Sequence, residues 1–155
     1  MLMLYGLKFF AATVIAIASV SLSSQESNNR KELAPVFERQ FGFELPYTVA
    51  EIKARRFALY DAEAEWICFT YDCAVFARIV DEDTLLEEVL PYSQESADII
   101  EDIDNVNGPD WMELPDHEST VIYFKEDYLN HIQSDFCIWA NQEKSRVYMK
   151  TSNHD

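Results

Sequence analysis

Three cysteines, Cys68, Cys73 and Cys137, and three histidines, His117, His131 and His154, are the residues of this 155-residue chain that could do nucleophilic chemistry. Asp72 stands directly before Cys73 and reads as a helix N-cap, so the thiol would sit in a first turn, where the helix dipole favours thiolate. A nucleophilic cysteine also needs a base, and no histidine stands at the spacing of a known cysteine–histidine family. Cys73 therefore reads as a half-buried structural thiol or a disulfide partner. Cys68 and Cys137 both fall within strand-like runs and could pair if those strands were neighbours.

The second chemistry is that of carboxylates. Asp102, Asp104, Asp110 and Glu113 occupy the first, third, ninth and twelfth places of an EF-hand count. Val106 then stands where a fifth-position oxygen ligand belongs, and Gly108 comes one place after the glycine position, which leaves a solvated acidic loop as the expectation and a looser, weak extracellular calcium loop as the alternative. Zinc lacks paired cysteine or histidine spacing, and His117-Glu118 lacks the second histidine of a metalloprotease helix. Glu87 with Glu88, or Asp98 with Glu101, could imitate a glycosidase pair, but a chain this acidic supplies such pairs by chance. No catalytic, cofactor-binding or metal-ligating residue is assigned, and no cofactor is expected.

Position matters more than total charge. The formal net charge is −16, yet from Arg30 to Arg56 basic residues outnumber acidic ones. From Asp61 to Asp127 twenty acidic residues face only Arg78 and Lys125. Such a field repels nucleic-acid phosphates and anionic lipid headgroups and attracts cations or a basic protein. The three glycines, Gly6, Gly42 and Gly108, stand too far apart to build a Walker loop or a dinucleotide fingerprint.

The positioning elements begin with an address. Lys8 followed by the apolar block Phe9 to Leu22, with Ser21-Leu22-Ser23 as a small-x-small site, reads as a secretory signal peptide. An uncleaved anchor is the alternative, although the apolar block is shorter than the about twenty residues a span needs. The expected organisation is signal or anchor over 1–23, a linker over 24–29, and one acidic domain over 30–155.

Within that domain, Leu33, Val36, Phe37 and Phe41 recur at helical spacing, and Gly42 stands as a C-terminal stop. Thr48 to Tyr60 fits helix and strand equally, whereas Trp66 to Tyr71 is a strand. A helix follows Asp72 through Val75, Phe76, Ile79 and Val80. The Thr84/Glu87 capping box predicts another through Leu85, Leu86, Val89 and Leu90. Ala97 to Ile103 is a weaker helical patch, acidic on its outer side, and Asp104 to Pro115 is irregular, with Trp111 expected to pack onto the domain. Thr120 to Lys125 is a strand. Phe136 to Ala140, a turn at Asn141 to Ser145, and Arg146 to Lys150 form a hairpin in which Arg146, Tyr148 and Lys150 alternate with Val147 and Met149, so that one face is buried and the other, with Lys150, is wet. These elements predict an α+β fold: a mainly antiparallel sheet of about 4–5 strands with 3–4 short helices, preceded by an N-terminal hydrophobic helix.

Phe41-Gly42-Phe43, the aromatic strand, Asp110-Trp111 in an irregular loop and the closing aromatic hairpin together resemble small exported bacterial proteins of uncharacterised function. Met112 stands where those proteins carry a second tryptophan. The resemblance implies an α+β shape and an envelope address, and carries no activity or site residue. The expected function is an exported acidic binding protein of the envelope, an inhibitor or immunity-type protein for a basic partner. A membrane-tethered accessory domain without activity is the alternative, and a thiol or carboxylate enzyme the third reading.

Overall fold

Asn29 shows how local chemistry starts the first helix. Its side chain accepts from the Lys31 N–H and donates to Glu32, which also accepts from Ser27. In the computed structural model, which describes residues 23–59, 62–81, 85–105, 108–129 and 132–154, this cap opens α1 (Arg30–Phe41). Gly42 ends it in the left-handed region at φ 73, its N–H bonded to Glu38 O at 2.8 Å. An added Cβ there would meet nothing within 4 Å, so glycine is required by backbone conformation and not by space.

Seven strands form one wholly antiparallel sheet: β1 (Ser23–Ser27), β2 (Lys53–Leu59), β3 (Ala62–Thr70), β4 (Glu87–Val89), β5 (Ile122–Leu129), β6 (Ile132–Asn141) and β7 (Arg146–His154). Their spatial order is β1-β2-β3-β7-β6-β5-β4, so two meanders meet at the β3–β7 seam. The helices α2 (Cys73–Ile79) and α3 (Gln94–Asn105) complete the set. Asp72 caps α2 as expected, accepting from the Ala74 and Val75 N–H groups at 2.9 and 3.1 Å. Those bonds favour the carboxylate and hold its pKa below the usual range.

Both faces of the sheet are covered, which explains why Trp66–Phe69 of β3 is a continuous apolar run and not an alternating one. On the first face α1 and α2 pack on Ile67, Phe69, Ile138, Val147 and Met149. Phe37 is fully buried there, with ring centroids of Phe41, Phe43 and Phe69 at 4.5, 5.4 and 5.6 Å. On the second face Ile99, Ile103 and Trp111 pack against Cys68, Ile122, Cys137, Trp139 and Tyr148. Trp111 Nε1 donates to Glu26 at 3.0 Å, carrying its segment across to β1.

Several expectations need correction. The sheet has seven strands instead of 4–5, because Ser23–Ser27, expected as part of a linker, pairs with Ala54–Ala58 of β2. The capping-box helix is absent: Glu87–Val89 is the strand β4, and Leu85 takes a positive φ of 58. Pairing with β5 outweighs a modest local helix preference there. The last hairpin has no wet face, since Tyr148 and Lys150 are buried under the second layer. Within the ambiguous segment at 48–60, Lys53–Leu59 is the strand β2. The apolar block Phe9 to Leu22 and its signal-or-anchor assignment lie outside the described residues. No helix among the described residues is long and apolar enough to cross a membrane.

Candidate functional site

Asp98 and Asp102 are four residues apart on α3, so their carboxylates share one side of the helix, next to the anchoring Ile99 and Ile103. Opposite them the sheet places Glu126 of β5 directly across from Asp135 of β6. Like charges in direct cross-strand register disfavour the sheet. Gln133 bridges this pair, its Nε2 donating to Glu126 Oε1 at 2.6 Å and to Asp135 Oδ1 at 3.5 Å. The four carboxylates line one open groove of about 400 Å³, together with Phe124, Cys137 and Ser152.

Lys150 lies at its floor. Its side chain is 3% exposed, and Nζ stands 3.6 Å from Asp102 Oδ2 and 3.3 Å from the Asp102 carbonyl oxygen. Ser152, across from Asp135 on β7, is buried with no hydrogen-bond partner for its Oγ among the described residues. Among the described residues that line the groove, one cation, Lys150, stands with four carboxylates. Several other described cations are engaged elsewhere: Arg39 with Glu65, Arg56 with Glu63, Lys144 with Glu113 and Arg146 with Glu51. Arg78 lies over the Phe43 ring, and Arg30 donates to the carbonyls of Leu45, Pro46 and Val49.

Removing Lys150 tests how the groove is built. Asp102 is 66% exposed, so losing its lysine leaves a hydrated carboxylate and not a buried orphan. Lys150→Met, which keeps the apolar stem, is expected to unfold in urea within about 1 kcal/mol of the natural chain. A loss of several kcal/mol would mean that the lysine is there for stability.

The cysteines do not assemble a site. Cys68 of β3 and Cys137 of β6 are separated by β7, two strand spacings or about 9.5 Å, which is beyond disulfide reach. All three thiols are free. Burial pushes Cys68 up to about 11 and Cys137 up to about 12. Cys73 is exposed at the start of α2, while His117 is held beside α3, with Nε2 3.2 Å from the Ser93 carbonyl and its ring against Tyr92. A thiol reagent at pH 8 should therefore modify Cys73 in the native protein, and Cys68 and Cys137 only after denaturation, as peptide mapping of the labelled chain would show.

The EF-hand count fails in space as well. Asp102 and Asp104 lie within α3 and not at the head of a loop, Asp102 faces Lys150, and Glu113 accepts from Lys144 at 2.9 Å. Among the described residues, no three potential ligands, the groove carboxylates included, are placed so that they could hold one metal ion. Glu87 and Glu88, adjacent in β4, point to opposite faces, and Glu101 is exposed on α3 while Asp98 borders the groove. His131 lies outside the described residues, and His154 closes β7.

Sequence reasoning missed the groove because Glu126 and Asp135 meet only through the β5–β6 register. The spacing of Asp98 and Asp102 was its one local signal. No family model matches the chain, and no curated protein or solved structure matches it.

Proposed function

We propose that the protein is a small acidic binding protein of the cell envelope, of the inhibitor or immunity type, which engages a basic partner through the groove over Lys150. The observation that carries this reading is that Asp98, Asp102, Glu126 and Asp135 line one open groove over the buried Lys150. The direct opposition of Glu126 and Asp135 across β5 and β6 sets two of the groove's carboxylates side by side. A groove of one sign with low-dielectric walls focuses its field and speeds encounter with an oppositely charged partner. Inserted lysine or arginine side chains would meet carboxylates on both walls.

The envelope address rests on Lys8 and the block that follows it. Cleavage after Ser23 would leave Ser24–Ser27 to keep its pairing with Ala54–Phe57. The test is a pull-down from cell envelopes at low salt with Ser24–Asp155 as bait, followed by a salt wash. Recovery of a basic protein that salt releases supports the reading. Recovery of nothing at any salt would remove it.

A further inference from the structure

The groove changes character with depth. Asp98, Asp102 and Glu126 are exposed at its mouth, whereas Lys150 and Ser152 are buried at its floor, 3% and 2% exposed. Those two stand two residues apart on β7, so both side chains leave the same face of the sheet. Ile99, Ile103 and Phe124 add apolar surface to the lining.

Both floor groups hold unused hydrogen-bonding capacity. Ser152 Oγ has no partner among the described residues, although a buried hydroxyl ordinarily finds one. The Lys150 ammonium carries three hydrogens. Among the described residues only Asp102 meets it, through the carbonyl oxygen at 3.3 Å and a carboxylate oxygen at 3.6 Å. A buried donor without a full set of acceptors costs free energy, and a ligand oxygen that reaches the floor removes that cost. A second ammonium driven to the same depth would meet Lys150. A purely cationic ligand is therefore matched to the mouth and mismatched to the floor.

We infer that the groove also binds a small zwitterion of amino-acid size, with its carboxylate on Lys150 and Ser152 and its ammonium among the carboxylates of the mouth. The groove's volume of about 400 Å³ lies in the range of small-molecule sites. The acids of the mouth keep the partners they have, because an ionised carboxylate offers about four acceptor positions. The inference goes beyond the basic-partner reading and does not depend on it, since the small ligand is held by the floor. The competing explanation is that a buried water satisfies Ser152 and that Lys150 serves Asp102 alone.

L-Lysine and L-lysinamide separate the two. They share a side chain and an α-ammonium, but lysinamide lacks the carboxylate and carries one more positive charge. Plain attraction to an acidic surface favours lysinamide, and the zwitterion site favours lysine. Each is titrated at about pH 6, where its ammonium groups are charged, into the isotope-labelled protein at low salt. Lysine should bind about fivefold more tightly than lysinamide or better, and should shift the backbone amides of Lys150 and Ser152. Lys150→Met should reverse the order and Ser152→Ala should lower the ratio, with the fold of each variant checked in the same spectra. Lysinamide binding as tightly as lysine, or a ratio unchanged in both variants, would overturn the inference and leave the basic-partner reading standing. Failure of lysine to bind would overturn it as well.

Discussion

Phe37→Ala is expected to cost about 3–5 kcal/mol, the range for removing a fully buried aromatic side chain. The ring has no exposure and touches Phe41, Phe43 and Phe69, which belong to the same helix, the segment after it and β3. No one of these can close the cavity without shifting an element. A domain of this size is stable by only about 5–15 kcal/mol, so the variant should lose a large part of its margin. Urea unfolding with an unchanged slope would report this as a lower midpoint. Tyr47→Ala, at a ring 92% exposed, should change stability by less than about 0.5 kcal/mol. If the two variants behaved alike, the packing of α1 onto the first face would be wrong.

The second large effect concerns the groove. The double reversal Asp98→Lys with Glu126→Lys should weaken binding of the salt-released partner at least tenfold, because it places cations on both walls where the partner's cations must enter. Overall charge must be separated from local charge. Glu38 on α1 and Glu44 just beyond it are exposed acids of the opposite layer, and their double reversal changes net charge by the same amount. That control should weaken binding less than threefold at moderate salt, where screening over about 10 Å removes distant contributions. Lys150→Met should act in the opposite sense and tighten binding, since it deletes the groove's own cation. Competition titrations of the three variants against the natural chain give the comparison.

The elements that were legible in the sequence are those whose local chemistry and tertiary environment agree. Trp66 to Phe69 reads as a strand because aromatic and branched residues suit a sheet, and the structure buries them on both faces. Asp72 ahead of Val75 and Ile79, and Phe41 ahead of Gly42, mark helix ends by capping geometry that depends on few neighbours. The missed elements are those made by partners distant in sequence. Ser23–Ser27 is polar on both sides and becomes a strand only because β2 offers it an edge. Glu87–Val89 carries a helix-like pattern that pairing with Ile122–Phe124 overrides.

The site follows the same division. That the middle of the chain carries the negative field was visible from the run of acids between Asp61 and Asp127. Which of those acids act together was not, because Glu126 faces Asp135 through a hairpin register and α3 reaches them only after crossing the second face of the sheet. Lys150 was expected on a wet strand face. Only the covering layer of α3 and the Trp111 segment turns it into the floor of a groove.

The central claim is that cations are captured at this groove and not spread over an acidic surface. Adding hexalysine to isotope-labelled Ser24–Asp155 at low salt, while following each backbone amide by nuclear magnetic resonance, tests it most directly. The account predicts shifts concentrated at Asp98, Asp102, Glu126, Gln133 and Asp135 and reversed by high salt. Shifts of equal size at Glu38, Glu44 and the outer residues Glu95 and Glu101 would contradict it.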